Sequence, residues 1–171
     1  MTQRHKIKRF LNFSWGGHPN TATALTFVWD NEAKDGYTFF YEGIAKDCEE
    51  CPYLKVCQGN LKAKNLYKVR GVRDKLFDCP VFGRKARLVE VQLAEVEAAV
   101  DPKYAIESAL VNFEPQTCGD LLCKMFDVCV PDDLEIGQRY KVVKVHSSFA
   151  CQKDGKKLIR VSLLPHDSQM S

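Results

Sequence analysis

The residues of this sequence with the clearest chemistry are eight cysteines, which fall into two sets of four. The first set reads Cys48-x2-Cys51-x5-Cys57-x21-Cys79 and the second Cys118-x4-Cys123-x5-Cys129-x21-Cys151. Thiolate sulfur is a soft ligand, and four thiolates close a shell around zinc or hold the irons of a cluster. All eight cysteines are therefore candidate metal ligands. In each set the fourth cysteine arrives 22 residues after the third, so metal binding would pin a distant segment onto the cysteine loop and contribute directly to folding. Structural zinc commonly uses two separated short-spaced pairs, whereas a clustered triplet with a remote fourth ligand is common for cubane iron–sulfur clusters. Cys51 and Cys79 are each followed by proline, as is the last ligand of bacterial ferredoxin runs, although the second set has no such pair. Two iron–sulfur centres are the favoured reading, zinc is the alternative, and disulfides or free thiols are the third.

Other uses of these cysteines fit less well. A thioredoxin-like pair at Cys48 and Cys51 needs a βαβ setting, and its repeat partner widens to x4. A catalytic thiol wants a histidine, but His5, His18, His146 and His166 have no repeat counterparts. His146, five residues before Cys151, is a candidate for the surroundings of a metal or for a plain strand face. No P-loop, dinucleotide fingerprint or H-E-x-x-H stands elsewhere in the chain. Asp132-Asp133 reads as a turn after Pro131, and Glu42 and Glu114 hold matching positions that suit bracing the cysteine loops. The chain is expected not to be an enzyme by itself.

The elements that must position the cysteines are duplicated. Cys51, Cys57 and Cys79 recur 72 residues later as Cys123, Cys129 and Cys151, and Tyr41-Glu42 recurs as Phe113-Glu114. Tyr67-Lys68-Val69 is matched by Tyr140-Lys141-Val142, one residue later. Only the first cysteine slips. Each copy begins with an extended run (37–41 or 109–113) that ends at Gly43 or Pro115. The x5 segments suit a helical turn or two. A strand follows (LYKVRGV or RYKVVKV), then a hairpin with the fourth cysteine, then a second strand (ARLVEVQL or KLIRVSLL). This predicts a β-rich α+β protein of two tandem homologous halves, each a small antiparallel sheet or barrel with a four-cysteine metal site. The span Val91 to Leu110 is the most helix-compatible, through AEVEAAV and YAIESAL, but Asp101-Pro102 divides it into two short helices or irregular structure.

Charge is unevenly spread. Residues 1–24 hold Arg4, Lys6, Lys8 and Arg9 and no acid, so the other 21 basic and 22 acidic residues leave the body near neutral. That basic extension, interleaved with aromatics, is a candidate contact for RNA or an acidic partner, or simply an extension. Lys68 and Arg70 belong to a basic run through the first half's strand region, which reads either as a solvated face or as part of such a contact. No apolar run is long enough to span a membrane, and the N-terminus lacks a secretory pattern, so a cytoplasmic protein is expected. A reducing cytosol in turn favours metal or free thiol over disulfide, except in hyperthermophiles.

The segment CEECPYLKVCQG resembles the C-x2-C-x5-C portion of auxiliary iron–sulfur domains in radical enzymes. More extensively, the span from Leu25 to Pro165 resembles an uncharacterised archaeal family, UPF0179, through CEECPYLKVC, LYKVRGV, VEAAVDPKYAIESALVNFEP, CGDLLCKMFDVC and GQRYKVVKV. The resemblance implies an archaeal cytoplasmic protein with two cysteine clusters expected to be iron–sulfur redox centres, and it implies no known activity. Residues 1–24 extend beyond the usual family start. The organisation expected is thus an N-terminal extension (1–24), a first repeat (25–95) and a second (96–171). The expected function is electron transfer or redox sensing with a larger protein or ribonucleoprotein partner. The alternative is a zinc-stabilised module attached to RNA, the ribosome or another complex.

Overall fold

Strand-forming residues alternate through most of the chain, and they assemble into two sheets of the same design. The computed structural model describes residues 23–166. The first half contributes β1 (Ala24–Trp29), β2 (Thr38–Tyr41), β3 (Asn65–Asp78) and β4 (Lys85–Leu93), with the helical turn α1 (Leu54–Cys57) between β2 and β3. The second contributes β5 (Val96–Val100), β6 (Leu110–Asn112), α2 (Phe126–Cys129), β7 (Arg139–Ala150) and β8 (Lys157–Pro165). The sheets run β1-β4-β3-β2 and β5-β8-β7-β6, antiparallel throughout. Residue 24 opens β1 and residue 96 opens β5, so the 72-residue offset of the cysteines extends to the first strand of each half.

Alternation puts one row of each sheet into a core. In the first half Val69, Val89 and Val91 are fully buried and pack with Val28, Tyr41 and Tyr67. In the second, Val142, Val161 and Leu163 pack with Phe113 and Tyr140. At the junction, Leu66 of β3 packs against the second core, and its carbonyl accepts the Ala94 N–H at 2.8 Å.

One expectation is overturned here. AEVEAAV is not helical: its Val96–Val100 segment is β5, paired with β8 from Val96↔Leu163 to Val100↔Ile159. Alanine and glutamate favour helix in isolation, but that preference is only a few tenths of a kcal/mol per residue and packing overrides it. Val96, Ala98 and Val100 enter the second core, while Ala99 is buried with Cys129 and Leu158. A strand buries both rows at once. The YAIESAL part holds a 3-10 turn (Pro102–Tyr104) and irregular chain up to β6.

Long bent hairpins carry the fourth cysteine of each half. The β3–β4 ladder shifts register between Val69 and Gly71 and between Val72 and Leu76, and the β7–β8 ladder does so at the corresponding places. Such bulges bend a ribbon. The tips are alike as well: Cys79 N–H donates to the Arg84 carbonyl (2.9 Å) and Cys151 N–H to that of Lys156 (2.8 Å). Gly83 (φ +62°) and Gly155 (φ +72°) close the two tips in the left-handed region, where glycine carries no Cβ penalty.

Candidate metal centre

The helical turn α1 lies across the gap between the two edge strands of its sheet. Thr26 of β1 donates to the Cys57 carbonyl, and the Tyr41 hydroxyl of β2 donates to the Gln58 carbonyl at 3.3 Å. The Asn60 side-chain amide donates to the Leu25 carbonyl at 3.1 Å, and the Phe27 N–H points to the Cys57 sulfur. The turn therefore covers an otherwise unpaired strand edge and sets Cys57 beside it. Cys48 ends a 3-10 turn whose carbonyl accepts the Cys51 N–H (3.0 Å), which places the first two cysteines on one loop. The hairpin tip delivers Cys79. All four thiols line one cavity of about 310 Å³.

The second half repeats this design. Gln116 takes part in edge covering, donating its side-chain amide to the Ala99 carbonyl at 3.4 Å and its N–H to the Cys129 carbonyl at 2.9 Å. Cys118, Cys123, Cys129 and Cys151 line a wider cavity of about 810 Å³. Asp120, whose carbonyl accepts the Cys123 N–H at 3.2 Å, sits where Cys48 sits in the first half. Cys118 comes from two residues earlier, the structural form of the slipped first ligand. The cysteines of each set line the cavity of their own half, with Cys79 in the first and Cys151 in the second.

The thiols sense one another. Burial raises the Cys57 pKa to about 11, and the neighbouring Cys48, Cys79 and Cys51 add to the rise. Cys48 is raised by burial, partly offset by a hydrogen bond with Gln58, and Cys129 is raised by burial and then by Cys118, Cys123 and Cys151. All eight cysteines are free of disulfides. Among the described residues, no group of three or more His, Cys, Asp or Glu side chains stands as a closed metal-holding arrangement. As a donor set, four soft thiols with no imidazole among them suit zinc or an iron–sulfur cluster. Cys48, Cys51, Cys57 and Cys79 would hold the first centre, and Cys118, Cys123, Cys129 and Cys151 the second.

Other candidates lie elsewhere. His146 Nε2 is 2.9 Å from Ser162 Oγ and 3.8 Å from Glu97, so its ring is held between strands. Glu42 pairs with Lys64, and Glu114 lines the second cavity. Within the basic run, Arg73 pairs with Glu90 and Lys75 sits 4.9 Å over the Phe77 ring, both exposed. Lys68 is half-buried and Arg70 exposed on β3. Asp132-Asp133 forms the expected turn. Arg4, Lys6, Lys8 and Arg9 lie outside the described residues. Sequence reasoning missed other residues around the cavities, notably Trp29 and Phe82, which line the first, and Arg84, which stacks on Trp29. Their counterparts share no residue type, so only the 72-residue offset, carried into β1 and the hairpin tips, could have found them.

Fold and site together define a duplicated β-sheet protein with a four-cysteine cavity in each half. Residues 24–163 match the family described as Uncharacterised protein family (UPF0179), and the chain belongs to that family. A UPF0179 protein of Methanothermobacter thermautotrophicus is 31% identical over 85% of this chain and 99% of its own length. One from Methanocorpusculum labreanum is 33% identical over 84% and 95%, and one from Methanocaldococcus jannaschii 31% identical over 71% and 80%. No solved structure matches. Among the described residues, no helix is long and apolar enough to cross a membrane.

Proposed function

We propose that this protein binds metal at both cysteine quartets, as iron–sulfur centres, and works in electron transfer or redox sensing with a larger partner. The observation that carries the reading is the convergence of four thiols on one cavity in each half, from a loop, a helical turn and a remote hairpin tip. Building that convergence twice in one chain is hard to explain by packing alone, because buried apolar positions are more simply filled by aliphatic side chains. A bound cluster would supply one-electron chemistry. The chain's own part is to present the thiols, to exclude water with the residues around them, and to hold the hairpin tip against the cysteine loop.

Docking to a partner is supported by Leu121 and Leu122, which stand 75% and 94% exposed on the loop between Cys118 and Cys123. Large apolar side chains so exposed beside a candidate centre suit a contact surface. The partner is expected to be a protein or ribonucleoprotein complex, with RNA contact through residues 1–24 as a subsidiary expectation.

Anaerobic purification with iron, sulfide and zinc analysis tests the reading. Broad absorbance near ~400 nm with iron and sulfide in comparable amounts is the expected result. Colourless protein with about two tightly held zinc ions would instead favour the zinc-stabilised module.

A further inference from the structure

The two cavities share a scaffold but not a rim. Around the first, Phe27 lies 4.4 Å from Phe77, and Tyr53 is 5.9 Å from Phe77. Phe82 at the hairpin tip meets Trp29 edge-on at 6.0 Å, and the Arg84 guanidinium stacks 4.6 Å over Trp29. Aromatic rings thus dominate this lining, with Glu32 and Asp78 its charged members and the Arg84 guanidinium laid over an aromatic face beside it.

Seventy-two residues on, the same positions carry other chemistry. Phe27 becomes Ala99, Trp29 becomes Asp101, Phe82 becomes Asp154 and Arg84 becomes Lys156. There, Lys156 Nζ pairs with Asp101 at 2.9 Å, and the Lys156 N–H donates to Asp154 at 3.0 Å. Asp154 also takes a hydrogen bond from the Cys151 thiol, placing an oxygen donor beside the fourth ligand. Those three rings are absent from the second cavity, which is the wider of the two, about 810 Å³ against 310 Å³.

Departure of a metal from a thiolate site needs water or an incoming ligand to reach it, and the groups around a site control that access. We propose that the two centres are divided in role: the aromatic-rimmed first quartet retains its metal, and the ion-rimmed second quartet exchanges metal with the surroundings. The exchanging species is a thiophilic metal ion, for which Asp154 offers a transient oxygen contact as Cys151 lets go. The inference rests on the proposed metal binding, but not on whether the metal is iron or zinc.

Zinc is the probe. The full chain, reduced and reconstituted with zinc, is mixed with excess 4-(2-pyridylazo)resorcinol, and release is followed by absorbance. Release is expected in two equal phases separated at least tenfold in rate. The fast phase disappears in Cys118→Ser/Cys129→Ser, and the slow one in Cys48→Ser/Cys57→Ser. Asp101→Trp/Asp154→Phe/Lys156→Arg, which installs the first rim on the second site, is expected to slow the fast phase severalfold. If that triple variant does not fold, Asp154→Phe alone makes the same test. Two bound zinc ions leaving in a single phase, or a fast phase that belongs to the first quartet, overturns the division of roles. Fewer than two zinc ions per chain overturns the metal reading itself, and the inference with it.

Discussion

Replacing Cys79 by serine removes the one first-set thiol that comes from the β3–β4 hairpin, and its cost can be worked from the chain. With metal bound, the link from Cys57 to Cys79 closes a loop of about 23 residues in any unfolded chain that keeps its metal. Treated as a cross-link, that closure is worth about 3 kcal/mol, a sizeable share of the roughly 5–15 kcal/mol that holds a typical protein folded. For a chain of this size it corresponds to a fall of about 6–12 °C in Tm. The hairpin tip keeps its backbone hydrogen bonds in the variant, since the Cys79 N–H bond to Arg84 uses no side-chain atom. The metal-free forms of wild type and variant should therefore melt within about 2 °C of each other, because an exposed or half-buried thiol-to-hydroxyl change is small. The assay is circular-dichroism melting of both proteins, each metal-loaded and chelator-stripped, with metal counted on the same samples. The loaded difference should vanish on stripping. An equal drop in both states would refute the reasoning, because it would show that Cys79 stabilises by packing. Unchanged metal content and Tm in the loaded variant would refute it from the other side.

Four further outcomes follow from the geometry. Leu158→Ala, at a fully buried position packed with Ala99 and Cys129, should cost about 2–5 kcal/mol in urea unfolding, and a loss under about 1 kcal/mol would mean that cluster is not close-packed. Gly83→Ala should cost about 1 kcal/mol from its φ of +62° alone, since no atom lies within 4 Å of the added Cβ; Gly83→Asn should recover part of that, and a cost-free alanine would contradict the turn. In the metal-free protein the Cys57 pKa is raised from 9.0 to about 11, so between these values the folded chain keeps a proton that the unfolded chain has released. Stability contributed by that group is complete below about pH 9 and is lost as pH rises toward 11; urea midpoints that stay flat in wild type, or fall equally in Cys57→Ala, would disprove the assignment. Deleting residues 1–22 should leave metal per chain unchanged, as all eight cysteines lie between 48 and 151, and a halved metal content would show otherwise.

Much of the site could be read directly. Cysteine spacing and the 72-residue offset, with Tyr41-Glu42 against Phe113-Glu114, gave two equivalent units. The alternating runs LYKVRGV and RYKVVKV became β3 and β7 because alternation at period two suits one buried and one exposed row. Val96–Val100 was not legible as a strand, since its alanines and glutamate carry a helical preference that only burial against β8 on one side and Cys129 on the other reverses. The roles of Glu42 and the basic run were also hidden, because nothing in their spacing shows that Lys64 and Glu90 stand ready to pair with them.

By itself, then, the sequence determined that there are two quartets, that they are copies, and that the first ligand of one has shifted. That Cys79 lines the cavity of the first set was decided by tertiary structure alone. Register shifts break both ladders on the way to the hairpin tips, and a distance of 22 residues along the chain says nothing about which way a ribbon folds. The same holds for the rims. Trp29 with Phe82, and Asp101 with Lys156, lie more than fifty residues apart in sequence, and only the packing of an edge strand against a hairpin tip makes each pair the border of a cavity.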